Sequence, residues 1–299
     1  MGERSKVYMT DLRCRPGVSL LNKLEKLMRT AGIGEINFER KLVAIKMHFG
    51  EPGNLAFLRP NYAKVVADVV KSLGGVPFLT DCNTLYPGRR KSALEHLDAA
   101  YENGFSPLST GCQVIIGDGL RGNDDVEVPV EGAEYIQTAK IGKAIMEADV
   151  IISLSHFKGH EQTGFGGAIK NLGMGCGSRR GKMEQHAQGK PMVAPRRCVG
   201  CRRCATQCAH GAITFGEDRK ASIDWDKCVG CGRCIAVCNT DAIRPGNDAA
   251  MEELGCRMAE YAKAVVDGRP QFHISLVIDV SPYCDCHGEN DLPIVPDVG

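Results

Sequence analysis

Along the first 155 residues, short apolar runs alternate with stretches whose apolar residues recur every three or four positions. The runs Lys6–Thr10, Leu42–Met47, Val76–Thr80, Gln113–Ile116 and Val150–Leu154 predict strands, and the β-branched Leu42–Met47 run reads as a buried one. Helical spacing is clearest over Leu20–Thr30, where Leu20, Leu21, Leu24, Leu27 and Met28 share a face. Further helices are predicted over Tyr62–Leu73, closed by Gly74-Gly75, and over Ser92–Tyr101 and Ala139–Glu147. Strands separated by helices predict an α/β fold, a mostly parallel sheet covered by helices on both faces. From Gly159 to Gly181 the chain reads as a glycine-rich loop, and a cysteine-dense block fills roughly Arg196 to Pro245. A helix over Ala249–Val266 and a strand over Phe272–Ile278 follow, so the α/β pattern resumes. The expected organisation is one α/β domain in two parts, 1–195 and 246–299, with residues 196–245 as a small α+β insertion.

The 299 residues leave room for one large domain or two smaller ones. Lys plus Arg number 37 and Asp plus Glu 36, which removes the electrostatic case for a nucleic-acid binder. No apolar run approaches the ~18 residues of a membrane span. The start, Met1-Gly2-Glu3-Arg4-Ser5-Lys6, has no apolar core of the secretory kind, which gives an expected cytoplasmic location. The 15 cysteines change the picture more: in a reducing compartment, clustered thiolates point to metal rather than to disulfides.

Cys198-x2-Cys201-x2-Cys204-x3-Cys208 is followed by Cys228-x2-Cys231-x2-Cys234-x3-Cys238. The two runs are a repeat offset by 30 residues, with nine of sixteen positions identical from Cys198 to Ile213 and from Cys228 to Ile243. Three cysteines at x2 intervals wrap a tight loop around one iron–sulfur cube, whereas zinc favours two CxxC pairs set apart. The block resembles the bacterial ferredoxin with two [4Fe–4S] clusters. That resemblance implies that Cys198, Cys201, Cys204 and Cys238 hold one cluster, and that Cys228, Cys231, Cys234 and Cys208 hold the other. The proline that usually follows the fourth cysteine is replaced by Ala209 and Asn239. Nine Lys/Arg stand against five Asp/Glu between Arg196 and Pro245, a net +4 that offsets the negative charge of two cubes and could also face an acidic electron-transfer partner.

The polar motifs of the α/β part nearly all follow a predicted strand. His48 and Glu51 come after the second, Asp81 and Asn83 after the third, His156 and His160 after the fifth, and Cys284, Cys286 and His287 after the last. Open α/β sheets bind ligands beyond the carboxyl ends of their strands. The glycines Gly164, Gly166 and Gly167, followed by Lys170 and Asn171, suit an anionic cofactor or substrate, because glycines let backbone N–H groups converge and a lysine adds charge. The expected site therefore has His48, Glu51, His156, His160 and Lys170 as catalytic groups. Asp81, Asn83, Gly164, Gly166, Gly167 and Asn171 would hold the cofactor, and Cys284, Cys286 and His287 form a candidate soft-metal site.

The stretches HFGEPGN, FLTDCNTLY, SHFKGHEQTGFGGAIKNLGMG, the double cysteine block and CDCHGENDLPIVPDVG resemble the ferredoxin-bearing members of the DUF362 family, iron–sulfur cluster-binding proteins of unknown function. The resemblance runs along essentially the whole chain and implies an α/β domain with a ferredoxin insert, but no particular reaction. Similar proteins continue past PDVG, which implies a chain truncated at Gly299. HEQTGFGGAIK is also similar to the stretch of lactate racemase that carries a His and, ten residues on, the Lys bonded to its nickel-pincer nucleotide; here the pair is His160 and Lys170. Three functions follow as expectations: a redox enzyme whose clusters feed a small-molecule substrate or cofactor at the strand ends, an electron carrier that docks a donor or acceptor protein, and a racemase-like hydride shuttle.

Overall fold

The strand predicted over Leu42–Met47 lies at the middle of the protein. In the computed structural model, residues 5–85, 88–160, 163–187, 191–208, 210–228, 233–245, 251–288 and 292–299 are described. Helix α1 (Leu20–Thr30) starts from a capping box between Ser19 and Asn22 and lies where its spacing predicts. It leads to β1 (Leu42–Lys46), α2 (Pro60–Ser72), β2 (Val76–Asp81), α3 (Ala93–Glu102), the single turn α4 (Pro107–Thr110) and β3 (Gln113–Ile116). A hairpin of β4 (Asp125–Pro129) and β5 (Thr138–Gly142) runs through α5 (Lys143–Glu147) into β6 (Val150–His156). A second hairpin, β7 (Lys158–His160) and β8 (Gly164–Gly166), precedes α6 (Ala168–Cys176) and α7 (Arg179–Ala187).

The cysteine module then runs through β9 (Pro191–Val193), α8 (Arg203–Gln207), β10 (Ile213–Phe215), β11 (Ala221–Ile223), α9 (Arg233–Ala236) and β12 (Ile243–Pro245). After it come α10 (Met251–Val266) and β13 (Gln271–Leu276). The central sheet has the order β13-β6-β1-β2-β3 and every pairing in it is parallel. Since β13 pairs with β6 from Gln271↔Ile151 to Leu276↔His156, the chain returns to the same sheet after the cysteine module.

Period-two alternation decides which helices cover which face. Val43, Ile45, Leu79, Ile152 and Leu154 pack with Leu24 and Met28 of α1 and with Val66, Val69 and Val70 of α2. Ala44, Phe78 and Ile151 point the other way, onto Ile145 of α5, Leu172 and Cys176 of α6 and Tyr261 and Val265 of α10. Burying each such Val, Ile or Leu stabilises the fold by about 1.5–3 kcal/mol.

Three sequence expectations need correction. Lys6–Thr10 forms no strand; Val7 and Met9 are exposed and no neighbouring chain pairs with them among the described residues. The helix expected over Ala139–Glu147 splits, its first half pairing with Asp125–Pro129 because Ala139 and Ile141 alternate inward. Gly159–Gly181 is not one loop, since its glycines serve a helix-packing contact. A Cβ on Gly173 would collide with the Met258 carbonyl of α10, so glycine there lets α6 and α10 approach closely.

The cysteine module carries its repeat into three dimensions. β9, α8 and β10 recur after 30 residues as β11, α9 and β12, and each strand pair, β10 with β11 and β12 with β9, is antiparallel. The repeating unit thus begins at Pro191, five residues ahead of the expected block. Among the described residues no helix is long and apolar enough to cross a membrane.

Candidate functional site

Strand order reverses direction at β1, because β2 and β3 lie on one side of it and β6 and β13 on the other. At such a switch point the loops leaving adjacent strands part and open a crevice. Here that crevice is a cavity of about 670 Å³, within the range of small-molecule sites. Lys46, His48, Asp81, His156, Lys158, Cys284 and Cys286 reach it from the strand ends. Lys170, Asn171, Met174 and Gly175 share the facing side of α6, and Lys182 and His186 that of α7, each set at helical spacing. Met192 of β9 and Arg244 of β12 close it, so the cysteine module supplies one wall.

The cavity is cationic. Among the described residues, Lys46, Arg90, Lys158, Lys170, Lys182 and Arg244 line it against one lining carboxylate, Asp81. Lys46 is 1% exposed and donates to Asn171 Oδ1 at 2.7 Å, with Asp81 Oδ1 at 3.0 Å. Asn171 returns hydrogen bonds to the Lys46 carbonyl and to Ser153 and Ser155, which fixes α6 to β1 and β6. Gly175 must lack a side chain there, because a Cβ would strike the Lys46 ammonium. Burial pushes the Asp81 carboxyl up, but Lys46, His96, Lys182 and Arg90 together hold it below its usual value. Lys182 donates to the Gly175 and Gly177 carbonyls at the end of α6, where the helix dipole favours a cation.

Residues 284–287 form a tight turn, with the His287 N–H on the Cys284 carbonyl at 3.1 Å. Several neighbours hold it. His156 Nδ1 is 3.0 Å from both oxygens of Asp285, and Lys158 Nζ is 3.0 Å from one. The Glu51 N–H meets the Asp285 carbonyl and Asn54 donates to that of His287. Burial raises the Asp285 carboxyl, but Lys158 and His156 overcome it and bring it down to about 2. With Asp285 turned into this network, Cys284 and Cys286 both face the cavity. Lys170 Nζ lies 2.9 Å from Cys284 Sγ, and its stem runs past Gly166, where a Cβ would crowd it. A hydrogen bond from Cys286 holds the Cys284 thiol well below the usual range, against its burial and with help from Lys170 and Lys158. Cys286, as donor and buried beside that sulfur, is pushed well above it. Burial pushes the Lys170 ammonium down, while Cys284 and Cys286 more than offset this and raise it.

The structure brings together His48, Asp81, His156, His160, Lys170, Asn171, Cys284, Cys286 and His287 of the residues expected from sequence. It leaves others out. Glu51 is buried against Arg90 Nε at 2.7 Å and accepts the Arg89 N–H, so its carboxylate anchors a loop and does not line the cavity. Asn83 spends its amide on Asp118 and the Gly119 carbonyl, tying the β2 and β3 loops together. Gly164 and Gly166 lie in the β7–β8 hairpin and Gly167 is the N-cap of α6, and among the described residues these three glycines do not line the cavity. His156 has Nδ1 on Asp285 and Nε2 2.7 Å from the Ile278 carbonyl, which makes it a positioning residue. Lys170 turns inward, but onto Cys284 rather than onto His160, whose Nδ1 faces Thr163. Sequence reasoning missed Lys46, Arg90, Lys182, His186 and Arg244. A lysine inside a run otherwise fit for burial was the available signal for Lys46.

The cavity's histidines make the fold acid-sensitive. His186 is pushed down to about 3 by burial, then by Lys170, His160 and Lys182. His48 is likewise lowered, by burial first and then by Arg90 and Lys158. Both are neutral when folded and titrate near 6.5 when unfolded, so the unfolded chain binds more protons below that pH. Stability should therefore fall as pH drops below about 6.5, by about 1.4 kcal/mol per pH unit for each histidine that stays neutral in the fold, a window that for His186 runs down to about 3. His186→Asn should flatten this slope in a series of thermal midpoints; an unchanged slope would mean that His186 is already protonated in the folded protein.

In the cysteine module, Cys198, Cys204 and Cys238 are buried in one small core with Ile213, Ile235 and Ile243, and Cys208 and Cys234 pack at its edge. The Cys204 thiol is raised, by burial first and also by the nearby Cys238 and Cys201. Backbone N–H groups of Ala221, Ala212 and Ala242 meet the sulfurs of Cys198, Cys208 and Cys238 at 3.4, 3.3 and 3.2 Å. The last two contacts are the same bond repeated after 30 residues. Cys231 lies outside the described residues. Among the described residues, no three His, Cys, Asp or Glu side chains converge as a single metal ion requires. A four-iron cube asks for something else, one thiolate on each of four separate irons. The donor set, sulfurs spaced around a core and receiving N–H bonds, fits that group.

Residues 43–299 match the family described as Domain of unknown function (DUF362). A thylakoid-associated protein of Synechocystis sp. is 29% identical over 163 residues, which is 53% of this chain and 46% of that protein. Lactate racemase apoprotein from Thermoanaerobacterium thermosaccharolyticum is similar in structure with a TM-score of 0.36 at 11% identity, over 83% of this chain and 52% of its own. A structural-genomics protein from Thermotoga maritima gives 0.41 at 12% identity, over 91% and 53%. The chain thus spans about half the length of each of these proteins. At such TM-scores the two structural likenesses say nothing of its chemistry.

Proposed function

The chain belongs to the DUF362 family, and from that premise we propose that it is a redox enzyme in which two [4Fe–4S] clusters serve an anionic small molecule bound at the strand-end cavity. The observation that carries this reading is the cavity's position. Strand ends of the parallel sheet form one side, and Met192 and Arg244 of the cysteine module form another. A carrier that only docked a partner would need no such opening, so the cavity favours an enzyme. Among the described residues, six cations outnumber Asp81, Glu51, Asp285 and the Cys284 thiolate, which favours an anion.

The module, enlarged by β9, is an excursion from one α/β domain whose parts otherwise keep the expected bounds, 1–195 and 246–299. Cys198, Cys201, Cys204 and Cys238 would hold one cluster, and Cys228, Cys231, Cys234 and Cys208 the other. The proximity of Cys238 to Cys204 and the N–H bonds to sulfur support this assignment. When bound, the clusters would supply electrons one at a time. Lys170, Lys182 and Arg244 would hold the anionic group, and His48, with Nδ1 accepting the Gly50 N–H and Nε2 2.9 Å from Arg90, would position that arginine at its edge. A separate electron-donor protein is the partner this scheme requires.

Protein purified without oxygen should carry about eight iron atoms per chain. Mass spectrometry of the denatured supernatant should find an acidic small molecule. Two zinc atoms and no iron would overturn the cluster assignment.

A further inference from the structure

The turn at residues 284–287 sets two thiols side by side in a cationic cavity. Cys284 is 2% exposed, yet its sulfur faces the cavity and contacts the Lys170 ammonium at 2.9 Å. Cys286 lines the same cavity from the same turn, two residues on. A metal cation is poorly served here, because the Lys170 ammonium already stands 2.9 Å from the sulfur it would need. A cysteine sulfur beside an ammonium, with a second thiol on the same turn, is instead the arrangement that attacks a disulfide and then resolves the product.

We propose that Cys284 and Cys286 are a redox-active dithiol that reduces a small anionic disulfide bound in the cavity. The proposal rests on the cavity as an anion site and needs no contribution from the clusters. The Cys284 thiolate attacks one sulfur of the substrate; its S–S bond breaks, and half of the substrate leaves as a thiolate that takes a proton from solvent. Cys286 gives its proton to solvent and attacks Cys284, which frees the second half and closes a Cys284–Cys286 disulfide. The two electrons that reduce the substrate come from the two protein thiols. Lys170 acts as a positioning residue, holding Cys284 as the thiolate, while the cavity's cations attract the carboxylates of the substrate.

The test uses the whole cluster-loaded chain with dithiodipropionate, a disulfide bearing a carboxylate at each end, and peptide mass mapping of residues 284–286. Wild type should lose two hydrogens across Cys284 and Cys286. Cys286→Ser should accumulate the mixed disulfide on Cys284, and Cys284→Ser should give neither product. Lys170→Met should slow the reaction at least tenfold near neutral pH and move its pH–rate profile upward, toward that of an ordinary thiol near 8.5. Suberate, the carbon isostere without the S–S bond, separates the two ideas when used as a competitor of iodoacetate at Cys284. Protection by suberate without any disulfide exchange would overturn the dithiol and leave the anion site standing. Neither protection nor exchange would overturn both. Exchange confined to the exposed Cys14 would overturn the dithiol as well.

Discussion

Lys46→Met should cost about 3–5 kcal/mol of stability, the largest effect expected from any single change in the α/β domain. Lys46 and Asp81 are 1% and 3% exposed, and their charges are 3.0 Å apart. The methionine fills most of the lysine's volume, so the loss is electrostatic rather than a packing void. What remains is a buried carboxylate whose next cation, Arg90, is 3.9 Å away and already occupied by Glu51. Asn171 would lose the partner of its side-chain oxygen, while its bond to the backbone carbonyl of residue 46 would remain. Adding Asp81→Asn to Lys46→Met should restore much of the loss, because a neutral amide no longer needs the cation. Urea denaturation of both single variants and the double closes the cycle. Additive losses would mean that the two charges do not depend on each other.

Much of the sheet was legible from sequence because its signals are local. Leu42–Lys46, Val76–Asp81 and Val150–His156 are apolar on both faces, as strands covered by helices on both sides must be, and Leu20–Thr30 carries its own cap and stripe. The β4–β5 hairpin was not legible. Its alternation is short, and Ala139-Lys140-Ile141 also fits the start of a helix; pairing with Asp125–Pro129 decides the matter, and that is a tertiary fact. The region Gly159–Gly181 misled for a related reason. Glycine disfavours helix in isolation, but in α6 it allows approach to Met258 and leaves space for the Lys46 ammonium, contacts that no local pattern encodes.

The site was legible in outline and not in its roles. Polar residues after strands mark where a crevice can form, and His48, Asp81, Lys170 and Cys284 do converge on it from positions spread over more than 200 residues. Which of them face the ligand depends on what each touches. His156 and Glu51 look like acid–base groups in a sequence, but in the fold they hold Asp285 and Arg90. Lys182 and Arg244 lie in no motif and enter the cavity because α7 and β12 are folded against the strand ends, and Arg90 reaches it from the β2–α3 connection.

Cys238→Ser should remove one whole cluster, about four of roughly eight iron atoms, and the one lost should be that of Cys198, Cys201 and Cys204. Adjacent in sequence, Cys238 belongs with Cys228, Cys231 and Cys234. Adjacent in space, it stands near enough to Cys204 to raise that thiol together with Cys201, inside a core that also contains Cys198. Its sulfur receives the Ala242 N–H at 3.2 Å, and the groups around it, Ile243 and Thr240 among them, hold the thiol below its usual value against its burial. A serine oxygen is a poorer ligand for iron than a thiolate, so the cube loses a corner and with it its stability. Double substitution identifies the cluster. Cys201→Ser should lose the same iron as Cys238→Ser, and the two together should lose no more than either alone. Cys208→Ser combined with Cys238→Ser should lose both clusters. Iron analysis and the electron paramagnetic resonance of the reduced protein read the outcome. If Cys238→Ser and Cys201→Ser were additive while Cys238→Ser and Cys234→Ser were not, each cluster would be held by the four cysteines of its own run, and the crossed assignment would be wrong.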